Sequence, residues 1–183
     1  LELEAGQWDA ALQANLAEIM YLSQAAGHVM AVAGRGKLVY VTSIVGSLPL
    51  YETSLMATML AGVEGFARVA AMELGPHGIT ANVIAPGWVD CGQELLLAAP
   101  LAADAAGREF LQAATPTRKM IRPQQVAEAC AFLLSDAGSA VNGAVLKVDG
   151  GFSFGRMNST QPYPGRPAWL PPEFDFSLDF LDN

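Results

Sequence analysis

A chain of 183 residues, 52% hydrophobic with a mean hydropathy of +0.30, suffices for one domain with a sizeable core. Acids outnumber Lys and Arg 18 to 10, for a net charge of −8 with no basic cluster, which excludes nucleic acid and an anionic membrane surface as expected partners. Cys91 and Cys130 form no CxxC pair and only His28 and His77 are present, so no metal set is expected and the thiols read as reduced, in a cytoplasmic protein.

No apolar run is expected to reach membrane-crossing length, and no basic-then-apolar leader is visible. The chain begins at Leu1 rather than Met and enters a helix almost at once, and one reading is that it is incomplete at the front. That first helix is expected over residues 6–31, from the stripe Trp8, Leu12, Asn15, Ile19, Leu22, Ala26, Met30 in steps of three and four. Asn15 stands out as an amide on a face that otherwise seeks the core, and a buried amide needs hydrogen-bond partners.

"GKLVYVTS" (Gly36 to Ser43) is a β-branched-rich run after a Gly-Arg-Gly turn and reads as a buried strand. A long helix follows over residues 54–75. Met56, Leu60, Val63, Ala67, Ala70 and Leu74 form one apolar stripe, and Leu55, Met59, Gly62, Phe66, Val69 and Met72 a second. A helix apolar nearly all round is buried on more than one side. One side is expected on the sheet; the other, with small Gly62, on a helix of a partner subunit. "ITANVIAPG" (Ile79 to Gly87) is a second strand, stopped by Pro86-Gly87. Residues 88–122 read as helix and loop, Pro123 opens another helix, and "GAVLKVDGG" (Gly143 to Gly151) is a third strand.

Strands alternating with helices predict an α/β fold, a Rossmann-type parallel sheet with flanking helices. Three strands are few for such a sheet. No Gly-rich phosphate loop follows a strand, since Gly34-Arg35-Gly36 precedes one, so the N-terminal dinucleotide-binding half is expected to be reduced or absent. Residues 1–155 are expected to form the α/β domain. Residues 156–183 carry prolines, aromatics and acids with no helical or strand period, and Tyr163, Trp169, Phe174, Phe176 and Phe180 suit an arm that packs on its own domain or a neighbour's.

The motifs "WDAALQANL", "GKLVYVTSIVG", "AMELGPHGITANVIAPGWV" and "RPQQVAEACAFLLSDAGSAVNGAVLKVDGGF" agree in order and spacing over residues 5–155 with the C-terminal part of a short-chain dehydrogenase/reductase. The resemblance implies a fold built for hydride transfer between NAD(P) and alcohols or ketones, in a dimer or tetramer. It places the family's asparagine on Asn15 and its serine, which holds the substrate oxygen, on Ser43. The family's tyrosine, thirteen residues beyond the serine, falls on Met56, and its lysine, four further, on Leu60. Neither replacement carries a titratable proton, so neither serves as general acid or base. Tyr51 lies five residues before Met56, in the loop, and is a poor substitute. The family's turn against the nicotinamide reads Pro86, Gly87, Val89 and Cys91, with a weakly donating thiol where the family has threonine.

Three functions are therefore expected in competition. The first is a non-catalytic subunit that binds no NAD(P) tightly and assembles, as a hetero- or homo-oligomer, with a homologous active subunit that does. The second is an NAD(P)-dependent oxidoreductase whose cofactor half is missing from this sequence. The third is a ligand-binding or regulatory module that uses the old pocket.

Overall fold

The computed structural model describes residues 4–48, 50, 53–91 and 105–154. Helix α1 (Ala5–Leu12) runs through a π-turn (Gln13–Ala17) into α2 (Glu18–Ala33). Glu4 opens it, its N–H donating to Gln7 Oε1 at 2.9 Å. Gly34 closes it in the left-handed region, φ 66°, where its own N–H and that of Arg35 reach back to the carbonyls of Ala31 and Met30. Strand β1 (Gly36–Val41), α3 (Ser54–Leu74), β2 (Ile79–Pro86), α4 (Ala105–Ala114), α5 (Pro123–Leu134) and β3 (Val145–Val148) follow.

The three strands form one parallel sheet in the order β1-β2-β3, with Gly36 opposite Ile79 and Val83 opposite Val145. The α/β reading of the sequence is met, with each strand one to five residues shorter than expected, β3 most of all. Central β2 is buried almost throughout, as a parallel strand with both faces covered must be. The expected burial of β1 is not met: its residues are mostly half-buried and Val41 is 59% exposed, because β1 pairs on one edge alone among the described residues. Asn82 and Asn142 bind the crossover into β3. Asn82 donates to Val141 C=O and accepts from Ala144 N–H, and Asn142 donates to Ala71 C=O and accepts from Ala81 N–H.

Helix α3 lays Val63, Ala67, Ala70 and Ala71 on the sheet beside Tyr40, Ala81 and Val83. Small residues on that face let the helix axis come close. The second apolar side behaves otherwise than expected. Gly62 admits Leu16 of the same chain, whose Cδ1 lies 3.0 Å from where a Cβ would stand, so that helix contact is internal. Phe66 likewise packs edge-on against Tyr40, ring centroids 6.1 Å apart, and belongs to the core. Val69 and Met72 are the residues left exposed. By length and composition the stretch Ser54–His77 is apolar enough to cross a membrane, which corrects the expectation that no segment is; its packing is that of a helix covering a sheet.

Candidate functional site

Of the family-matched residues, Ser43 follows β1 and Pro86-Gly87 stands at the end of β2, the edge where open parallel sheets hold ligands; Asn15, Met56 and Leu60 come from helices. Beyond β1 the ladder continues through Thr42 N–H to Ile84 C=O at 2.8 Å, and Ser43 follows in extended conformation, φ −155° and ψ 157°. The Ser43 hydroxyl accepts Val45 N–H at 3.4 Å and caps a short 3-10 turn (Ile44–Gly46) whose Ile44 and Val45 are buried. That buried turn fixes where the hydroxyl stands.

Asn15 lies within the π-turn, a device that shifts the helical register by one residue and often marks functional positions. The sequence suggested a buried amide; the structure leaves it exposed, with Nδ2 donating to Ala11 C=O at 3.0 Å and Oδ1 open. Met56 and Leu60 sit one turn apart on one face of α3. They are half-buried rather than sunk in a buried stripe. Asn15, Ser43, Met56 and Leu60 all line one open cleft of about 620 Å3, walled also by Leu22, Met59 and Val63.

The cleft has one titratable side chain among its described lining residues, Tyr40. Its hydroxyl donates to Ser23 Oγ at 3.0 Å, and Ser23 donates to Ile19 C=O at 2.6 Å. Burial pushes the Tyr40 phenol up, and the bond to Ser23 offsets only part of that rise. It is neutral and engaged, a poor base. Tyr51 lies outside the described residues. The cleft can hold an apolar body and a single oxygen; it has no group placed to move a proton.

Pro86, Gly87, Val89 and Cys91 do not line that cleft; Pro86 and Gly87 lie against the end of β3. Gly87 N–H donates to Val148 C=O at 3.0 Å, and a Cβ at Gly87 would stand 2.8 Å from Asp149 Cβ and 2.9 Å from Asp149 Cα. Only glycine allows this approach. Val89 bridges Ile121, and Cys91 is exposed at the edge of the described residues. Arg108 of α4 pairs with Asp90 at 2.6 Å, and Trp88 packs with Leu111 and Met120. Residues 92–104 lie outside the described residues, as does the arm 156–183.

Asp149 was missed from sequence, although Asp-Gly-Gly after a strand is a known turn signal. Its carboxylate accepts the N–H groups of Gly151 and Ser153, each at 2.9 Å. Burial raises its pKa, but the hydrogen bonds of Ser153 and Gly151 and the charge of Lys147 outweigh burial and hold it below the usual carboxylate value. Glu64 was also missed: the sequence set it among the polar interruptions of α3, yet it is buried, one oxygen beside Gly46 and the other 3.5 Å from the exposed Arg68.

Residues 1–153 match the family model described as enoyl-(acyl carrier protein) reductase. The chain is 38% identical over 152 residues to cis-4-hydroxycyclohexanecarboxylate dehydrogenase of Sinomonas cyclohexanicum, covering 83% of this chain and 59% of that one. It is 30% identical over 151 residues to 3-oxoacyl-(acyl carrier protein) reductase FabG of Pseudomonas aeruginosa, covering 82% and 59%. A gluconate 5-dehydrogenase from Burkholderia cenocepacia, solved with NADP and tartrate, superposes with a TM-score of 0.77 at 29% identity, over 84% of this chain and 58% of that one. The chain thus spans about three fifths of the length of these relatives. Matched across residues 1–153 and folded on the same parallel sheet, this chain belongs to the short-chain dehydrogenase/reductase family.

Proposed function

We propose that the chain is the substrate-side portion of an NAD(P)-dependent oxidoreductase of this family, working with an altered site. The observation that carries this reading is that Asn15 and Ser43, both matched family positions, line one cleft that runs along the outer edge of β1 to its C-terminal end. The relatives support it: two carry dehydrogenase and one reductase in their names, and one was solved with NADP. Ser43 then holds the substrate oxygen, and Met56, Met59 and Leu60 seat an apolar substrate body.

The residues present do not fit that cofactor. No Gly-rich turn leads from a described strand into a helix, Leu60 offers no donor to a ribose, and Cys91 replaces the threonine of the family's turn. This chain by itself is therefore expected to bind NAD(P) weakly.

The second reading, a non-catalytic subunit of a homologous hetero- or homo-oligomer, is favoured by one observation. Met56 and Leu60 reach the cleft where the family has its tyrosine and lysine, and neither can donate or accept a proton. Nicotinamide-linked oxidation of cyclic and acyclic hydroxy acids by the protein from its source, with and without Ser43→Ala, separates the two. Turnover that falls with Ser43→Ala supports the oxidoreductase. No turnover, together with a tyrosine-and-lysine-bearing homologue retained in native mass spectrometry, overturns it in favour of the subunit.

A further inference from the structure

Ser43 is held between two fixed points. On one side Thr42 N–H donates to Ile84 C=O of the sheet at 2.8 Å. On the other, Gly46 N–H donates to Ser43 C=O at 3.0 Å, and the N–H groups of Ser47 and Leu48 both return to Ile44 C=O. The turn after Ser43 is thus closed on itself and moves as one body. Where Gly46 rests decides where the Ser43 hydroxyl stands.

Gly46 rests on α3. A Cβ at Gly46 would stand 2.8 Å from Glu64 Oε1, 3.1 Å from Leu60 Cβ and 3.3 Å from Ala61 N, so the chain meets one turn of the helix with no room for a side chain. Met56, Leu60 and Glu64 follow in steps of four on one face of α3. The first two line the Ser43 cleft; the third is only 4% exposed.

An apolar side chain would fill that space at less cost. Glu64 Oε2 reaches Arg68 Nη2 at 3.5 Å, but the Arg68 side chain is 56% exposed, so the pairing offsets little. Glu64 Oε1 is, among the described residues, the one buried carboxyl oxygen with no hydrogen-bond partner. A buried oxygen left unpaired is uncommon and costs free energy, so it calls for a reason. Its place supplies one. Of the atoms packed on Gly46, Oε1 is the nearest.

We propose that Glu64 is a positioning residue for Ser43: its carboxyl tip seats the Gly46 turn on α3 and so sets the gap between the Ser43 hydroxyl and the Met56–Leu60 wall of the cleft. Arg68 steadies the tip through its other oxygen, and Gly46 is the residue that lets it in. The seating depends on packing alone. Its effect on turnover rests on the oxidoreductase reading, in which Ser43 holds the substrate oxygen.

Size exchange across the contact tests the seating. In the full chain, Gly46→Ala should move the amide resonances of Ile44 and Val45, the latter donating to the Ser43 hydroxyl, while those of β2 stay in place. Adding Glu64→Ala removes the nearest obstacle and should bring them part of the way back. Where Gly46→Ala alone leaves β2 disordered, refolding on addition of Glu64→Ala reads the same exchange. In the protein expressed in its source, Glu64→Ala should lower kcat roughly tenfold with KM within about twofold, because a transition-state contact is displaced and ground-state binding is not. Glu64→Gln, which keeps length and shape, should restore most of that loss. In a Ser43→Ala background Glu64→Ala should cost nothing further.

Resonances of Ile44 and Val45 that stay put in Gly46→Ala, with β2 intact, would overturn the proposal. So would the lack of any return on adding Glu64→Ala, or a loss from Glu64→Ala as large without the Ser43 hydroxyl as with it. Absence of turnover in the wild type would overturn the oxidoreductase reading instead, and the resonances would still decide the seating.

Discussion

Gly87 allows the same small change to be tested against itself elsewhere in the chain. In Gly87→Ala the new methyl would lie 2.8 Å from Asp149 Cβ and 2.9 Å from Asp149 Cα, well inside ordinary contact. Neither side yields easily: Gly87 is tied to Val148 C=O, and Asp149 is held by its bonds to Gly151 and Ser153. Overpacking of this kind costs about 1–3 kcal/mol. For a chain of this size each kcal/mol moves the midpoint by about 2–4 °C, so melting should fall by roughly 2–12 °C. Gly65, inside α3, has nothing within 4 Å of its would-be Cβ. Gly65→Ala should therefore stabilise by about 0.5–1 kcal/mol through helix propensity alone. Thermal melts followed by circular dichroism read both. Gly87→Ala melting at or above wild type would refute the close-approach argument, whatever Gly65→Ala does.

Restoring the family's pair by Met56→Tyr with Leu60→Lys should change stability by no more than about 1 kcal/mol, because both positions are half-buried on an open cleft. The isolated double variant should still transfer no hydride; measurable NAD(P) turnover would show that this chain holds the cofactor after all. Asp149 has its folded pKa depressed, so its stabilisation is complete above the unfolded carboxylate value of about 3.9 and is lost as pH falls through the folded value. Asp149→Asn should thus cost about 1–3 kcal/mol at neutral pH, a gap that closes below about pH 4 in denaturant titrations. Phe66→Glu should unfold the chain, since Phe66 packs on Tyr40, whereas Met72→Glu should leave folding intact and lower the mass seen by light scattering if α3 carries an assembly surface.

Features that depend on local pattern were legible in the sequence. Pro123 at a first-turn position and Pro86-Gly87 at a strand end mark their elements to within a residue or two. Ser43, Met56 and Leu60 were placed by the family resemblance, counted along the chain from the motif that ends the first strand. What depends on long-range packing was not legible. The two-sided apolar pattern of α3 could not say that Leu16, 46 residues earlier, fills the space over Gly62, so the contact was assigned to a partner. The exposure of Asn15 follows from a π-turn that no periodicity shows. Glu64 reads as a surface charge until Gly46 is seen to make room for it.

The Asn82 and Asn142 side chains also bear on the order in which the molecule is assembled. The β1-α3-β2 unit closes over a single helix, whereas β3 must return across everything between Pro86 and Val145 before its first pair forms. Closing the longer loop comes later, and contacts that form after the barrier set the rate of escape rather than the rate of entry. Asn142→Ala, which severs the links to Ala81 and Ala71, should therefore speed unfolding while leaving the refolding limb of a chevron almost unmoved. The lifetime of the native state rests on two amides at the joint that closes last.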